Sequence, residues 1–206
     1  MRKLNILFSG VLFSLLLMST GLSQQKDQLA IGSEAPMINR SMQTVSGEEI
    51  TLKNAADENG LLVIFSCNTC PWVDRWEDRY PIVYDIADKN KIGMVALNPN
   101  ESYRERGDGM EDMILRAKKM KYEFPYALDK DHQIADAFGA TRTPHVYLFD
   151  ADMKLVYVGA IDDNARDAGA VESFYLKDAI EQMVAGKEIT QSQTRSLGCT
   201  IKRVSE

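Results

Sequence analysis

Between Leu61 and Phe65 five apolar residues run without a break, LLVIF, after a polar loop (Ala55–Gly60) and before a turn. A run this short, bounded in this way, suits a strand covered on both faces. Ile92–Asn98 (IGMVALN) repeats the pattern, and Pro125–Leu128 gives a shorter strand. Val146–Phe149 and Leu155–Val158 flank Asp150–Lys154, which reads as a tight hairpin turn. Helical spacing takes over in between. Met110, Met113, Ile114 and Ala117 share one face of a helix over 110–122. A helix starts near Pro71, at the position proline favours, and runs toward Lys89, with Pro81 expected to kink or split it. Gln133–Phe138 is a short helix closed by Gly139, and Val171–Ala185 a long one ended by Gly186. Earlier, Met42–Leu52 carries a turn signal, Ser46-Gly47-Glu48, between two strand-like runs, which predicts a hairpin. Ile31–Arg40 is extended around Pro36, and Pro99–Asp108 is a charged loop. The order is hairpin, β, α, β, α, β, α, β, β, α. It predicts an α/β fold: a mixed central sheet, parallel in its middle, antiparallel at the closing edge, with helices on both faces.

The first residues break this pattern. Arg2 and Lys3 precede an uncharged apolar run, Leu4–Met18, and a small polar stretch with Gly21 and Ser23 at −3 and −1. Residues 1–23 therefore read as a secretory signal peptide, with an uncleaved anchor as the alternative. Segment 24–30 reads as flexible, 31–190 as one domain, and 191–206 as a polar C-terminal tail. The expected location is periplasmic or secreted, with no stable membrane insertion after cleavage. Loss of Arg2 and Lys3 takes the net charge from −6 to −8, which argues against nucleic acid or anionic membranes as partners. With 45% hydrophobic residues a chain of 206 builds a core without staples, so its three cysteines call for another explanation.

Two of them sit in FSCNTCPW, Phe65–Trp72, between the first buried strand and the first helix. Metal binding, a structural staple and electron exchange are the options. One pair, a lone third cysteine and two histidines fall short of a zinc site, and no metal is expected. A loop this short gains little from a staple. Electron exchange fits best. Cys67, just before the helix start, is favoured as a thiolate by free N–H groups and the helix dipole, and is the expected attacking residue. Cys70, about one turn on, is placed to resolve a mixed disulfide. No cofactor beyond a redox-active Cys67–Cys70 disulfide is expected.

TRTPH, Thr141–His145, precedes the strand VYLF. With the cysteine pair it resembles the thioredoxin superfamily, whose members carry Cys-x-x-Cys at a strand end and a cis-proline before a later strand. IGSEAPMINR, the hairpin and the extra helix over 110–122, inserted before the cis-proline strand, resemble the redoxin branch, AhpC/TSA-like and ResA-like. The phrases FSCNTCPW, LNPN, TRTPHVYLFD, GAIDDN and LGCTIK resemble an extracytoplasmic redoxin-like subgroup, over roughly Ile31–Lys202. The resemblance implies a thioredoxin-like fold in which Thr143 and Pro144 border the cysteines and the Thr143 backbone pairs with a substrate chain. It also implies departures. Leu61 stands where thioredoxins carry a buried Asp, and Asn68-Thr69 replaces their Gly-Pro. Ile64 stands where peroxiredoxins need a Thr before the peroxidatic cysteine, which argues against efficient peroxide reduction.

Other residues have two readings each. Trp72 borders the groove and binds substrate, or packs in the core with Trp76. His145 modulates the Cys67 thiolate, or points away from it. Cys199 is an accessory thiol or a link to another chain, or, more plainly, a half-buried thiol packing the tail. Glu77, Asp78 and Arg79 read as a solvated face, and Asp162-Asp163-Asn164 as a capped turn. The function expected is an exported thiol–disulfide oxidoreductase acting on protein dithiols or disulfides, with a thiol electron donor or acceptor in the envelope. The alternatives are a thiol peroxidase and a non-catalytic binding module.

Overall fold

The computed structural model describes residues 27–204. The expected signal peptide, 1–23, and the start of segment 24–30 lie outside the described residues.

The hairpin strands β1 (Met42–Gln43) and β2 (Glu49–Ile50) pair antiparallel around the Ser46-Gly47 turn. A one-turn helix α1 (Leu52–Ala55) follows, capped by the Thr51 hydroxyl. Then come β3 (Leu61–Phe65), α2 (Pro71–Trp76), α3 (Tyr80–Lys89), β4 (Gly93–Asn98), α4 (Met110–Met120), β5 (Tyr126–Leu128), α5 (Gln133–Phe138), β6 (Arg142–Thr143), β7 (His145–Phe149), β8 (Leu155–Gly159), α6 (Tyr175–Val184) and β9 (Cys199–Thr200). The central sheet has the order β5-β4-β3-β7-β8, with β3, β4 and β5 parallel and β7 and β8 antiparallel.

The apolar run in β3 has the fate its length predicts. Leu61, Val63 and Phe65 pack on one face with Leu52 of α1 and Ile134 and Phe138 of α5. Leu62 and Ile64 pack on the other with Tyr80 and Val83 of α3 and Leu176 and Ile180 of α6. Every β3 side chain is buried, and full burial of a large apolar side chain contributes about 1.5–3 kcal/mol. The 71–89 helix is split as expected. A 3-10 turn, Glu77–Arg79, separates α2 from α3, and Pro81 lies in the first turn of α3. Proline has no N–H to continue the α-helical ladder.

Two expectations on this scaffold change. The last helix begins at Tyr175, four residues later than the spacing suggested. The backbone before it is spent on the 161–163 loop: Glu172 N–H donates to Asp163 Oδ1, Asp163 N–H to Ser173 O, and Leu176 N–H to Ile161 O. Glu77 and Arg79 are buried rather than solvated. Glu77 accepts from Arg116 and Tyr122, while Arg79 donates to Asp162 Oδ2 at 3.0 Å and to Asn164 O. The 191–204 stretch, the polar tail, is docked along the domain.

Both edges of the sheet are covered by irregular segments. Thr44 bridges Ala127 at the β5 edge. At the β8 edge Gly32 N–H donates to Leu155 O and Ala35 N–H to Met153 O. Further along that edge Val158 N–H donates to Ser192 O and Thr194 N–H returns a bond to Val158 O.

Candidate functional site

β3 ends at Phe65, and the chain passes through Ser66 to Cys67 before turning into α2. The helix begins at Pro71, so Cys70 is its N-cap residue rather than a turn inside it. The loop between is held from beneath by one carboxylate. Asp108, fully buried, accepts four hydrogen bonds. Oδ1 receives Asn68 N–H at 2.6 Å and Asn98 Nδ2 at 2.9 Å. Oδ2 receives Thr69 Oγ1 at 2.7 Å and Asn100 Nδ2 at 2.9 Å. Asn68 also donates to Gly107 O and accepts from Tyr126 Oη. Gly107 takes the left-handed conformation (φ 106°) that turns the chain toward this cradle. A buried ion is stable only when its oxygens are satisfied, and four donors do that here. The cradle was not foreseen. A lone acid in Gly107-Asp108-Gly109 has no periodicity to mark it, although its partners Asn98 and Asn100 lie in the LNPN phrase.

The peptide between Thr143 and Pro144 is cis. Thr143 is wholly buried and touches both cysteines of the motif. Its Oγ1 lies 3.1 Å from Cys67 Sγ, and its carbonyl oxygen 3.2 Å from Cys70 Sγ.

The disulfide present is not the Cys67–Cys70 bond expected from the sequence. Cys70 is bonded to Cys199, 129 residues away, with the Cα atoms 6.0 Å apart, and Cys67 is a thiol. The reason lies in the tail. β9 pairs antiparallel with β6, with Thr143 opposite Cys199 and Arg142 opposite Thr200. This register sets Cys199 beside Cys70. The plain reading of Cys199 as a packed thiol therefore gives way to a bonded one. The sulfur of Cys70 has no proton in this state, so its approach to Thr143 O is a contact. As a thiol, Cys70 would donate there.

Cys67 is only 2% exposed. Burial pushes its thiol up to about 12, and the negative charge of Asp108 adds to that. Hydrogen bonds from Thr143 and from the Thr69 and Cys70 backbone work in the opposite direction without prevailing. The expected low-pKa thiolate is thus absent while the tail is docked, because desolvation outweighs the N–H groups near the helix start.

Trp72 is half-buried beside Cys67, Cys70 and Val73, with the Arg75 guanidinium 4.9 Å above its ring. Trp76 is buried in the core. His145 is buried with its ring 4.7 Å from that of Tyr147, and its Nδ1 faces the Tyr147 hydroxyl at 3.4 Å. It lies opposite Phe65 in the sheet and makes no hydrogen bond to a cysteine. Burial, then the charge of Arg142, lowers its pKa to about 4, so it is neutral at physiological pH.

A mixed sheet covered by helices, with cysteines at the end of β3 facing a cis-proline turn, defines a thioredoxin-fold redoxin. The family profile "AhpC/TSA family" matches residues 31–158, and the chain belongs to that family of oxidoreductases. Among curated relatives, "Thiol-disulfide oxidoreductase ResA" from Bacillus thuringiensis subsp. konkukian (strain 97-27) is 23% identical over 167 residues, covering 76% of this chain and 88% of the relative. Among solved structures, an uncharacterized conserved protein from Geobacillus kaustophilus matches with TM-score 0.78 and 27% identity, over 86% of this chain and 94% of its own. The thioredoxin domain of a thiol-disulfide oxidoreductase from Bacteroides vulgatus matches with TM-score 0.57 and 20% identity, over 76% and 99%, and shares the fold.

Proposed function

We propose that the protein is an exported thiol–disulfide oxidoreductase acting on protein substrates, with Cys67 attacking and Cys70 resolving. The supporting observation is that one residue, Thr143, touches both sulfurs, its hydroxyl at Cys67 and its carbonyl at Cys70. In the forward step the Cys67 thiolate attacks a substrate disulfide, forming a mixed disulfide and releasing one substrate thiolate, which is protonated. The Cys70 thiol then gives up its proton and attacks Cys67 Sγ. This forms Cys67–Cys70 and releases the second substrate thiol. A thiol donor in the envelope restores the reduced pair. Trp72, half-buried at the sulfurs, offers an apolar surface to the substrate chain.

Insulin reduction by dithiothreitol, followed as turbidity, tests this with the mature chain. Catalysis is expected to drop to the uncatalysed rate in Cys67→Ser, and Cys70→Ser is expected to accumulate a covalent adduct with an insulin chain. Undiminished turnover in Cys67→Ser would overturn the reading. Rapid peroxide consumption that leaves insulin untouched would transfer the chain to the peroxidase alternative.

A further inference from the structure

The C-terminal stretch does more than pack. Its β9 strand lies along β6, and Ile201 N–H donates to Thr141 O. Ile201 is buried against the core. Beyond it, Ser102 N–H and Oγ both donate to Lys202 O, and Lys202 N–H donates to Asn100 Oδ1. Arg203 closes the run by donating to Asp136 Oδ1 at 2.7 Å and to Ala140 O. On the near side Gly198 passes so close to the cis-proline turn that a Cβ there would stand 2.3 Å from Thr143 O. Only glycine fits, and the chain thus crosses flat over Thr143. The contacts match those an added substrate strand makes on a sheet edge, with backbone pairing for affinity and one buried side chain for register.

We propose that Cys199 is a third redox thiol of this enzyme, carried on an internal strand that occupies the substrate position along β6 and is released by thiol–disulfide exchange. The proposal rests on the oxidoreductase reading in one respect: Cys67 is the nucleophile. With the strand docked, Cys67 is buried and protonated, and no external disulfide reaches it. The disulfide in its own buried cluster is Cys70–Cys199. When Cys67 loses its proton it attacks Cys70 Sγ. The Cys67–Cys70 bond forms, the Cys70–Cys199 bond breaks, and Cys199 leaves as a thiolate that takes up the proton. One thiol and one disulfide exist before and after, so the step needs no outside oxidant or reductant. The strand is then held by its short ladder, the buried Ile201 side chain and polar contacts, without a covalent link. Its departure uncovers Thr143 and the β6 edge for a substrate chain, and Thr143 O for the Cys70 thiol after reduction.

The test uses the full mature chain in glutathione buffers of graded poise, acid-quenched, alkylated and mapped for disulfides. The wild type is expected to give Cys70–Cys199 with Cys67 alkylatable only after denaturation, exchanging with a Cys67–Cys70 population. Cys199→Ser is expected to give Cys67–Cys70 alone. After reduction, its Cys67 is expected to react with iodoacetamide in the native state at least about tenfold faster than Cys67 of the Cys70–Cys199 form. Gly198→Val keeps all three thiols but clashes with the Thr143 carbonyl, and the same acceleration is expected there. If Cys199 stays a free thiol at every poise and Gly198→Val labels at the wild-type rate, the proposal falls while insulin reduction still supports the oxidoreductase. If Cys67→Ser retains insulin turnover, the oxidoreductase reading falls, whatever the disulfide map shows.

Discussion

The centre of the sheet and the cradle beneath the cysteine loop are both buried, but they are stabilised in opposite ways. In the first, β3, β4 and β7 contribute side chains that alternate between two apolar layers, and the energy is spread over many contacts. In the second, four donors converge on the single carboxylate of Asp108. Loss of one group from a diffuse apolar layer leaves a cavity, and the neighbours partly relax. Loss of the hub of a polar network orphans every partner at once. The stable part of the molecule is thus tolerant, and the reactive part depends on one residue.

The comparison breaks most sharply at Asp108. Asp108→Ala leaves the Asn68 N–H and the Thr69 and Asn100 side chains without their buried partner. Unfolding by urea is expected to show a loss of about 4 kcal/mol. Native iodoacetamide labelling of Cys67 is expected to rise as well, because the Asp108 charge adds to the burial that holds that thiol up. Next comes Leu62→Ala, within one of the two apolar layers. About 3 kcal/mol of stability is expected to go, with Cys67 labelling of the folded protein unchanged. Equal labelling in the two variants would erase the distinction between the regions.

His145 sharpens the comparison, since it is a titratable group placed inside the apolar sheet. Its folded pKa, about 4, lies below the ordinary 6.5. Between these values the unfolded chain binds more protons, so stability is fully present above about 6.5 and is lost as pH falls toward 4. The shift corresponds to about 3 kcal/mol. Replacement by Phe is expected to flatten this acid limb of a urea-unfolding series measured from pH 7 to pH 4. An unchanged slope would place the acid sensitivity elsewhere.

The two regions also differ in how far the chain reveals them. LLVIF, IGMVALN and the Pro81 break are local patterns, and the strands, their burial and the helix split follow from two or three neighbouring residues. The Cys67–Cys70 and Thr143–Pro144 motifs are each local, but their meeting across 76 residues is implied only by the resemblance to the thioredoxin superfamily. Asp108 reaches the loop from 40 residues away, and Cys199 reaches Cys70 from 129. No periodicity encodes contacts at such separation. The same holds for Glu77 and Arg79, which look solvated on a helical wheel until Arg116 and Asp162 arrive from other elements. The raised pKa of Cys67 has a different source. Its place before a helix argued for a thiolate, but the desolvation that decides otherwise depends on what covers it.

The covering of the β8 edge has a consequence for the growing chain. Residues 32–35 are made before β8, but the partners at 192–194 come some thirty residues after it. While synthesis proceeds, the stretch of β8 around Val158 offers bare N–H and C=O groups, the kind of edge along which chains join one another. The sheet is sealed only when the C-terminal residues arrive. A chain truncated before Ser192 would therefore keep its central strands and apolar layers and yet be the form most prone to self-association.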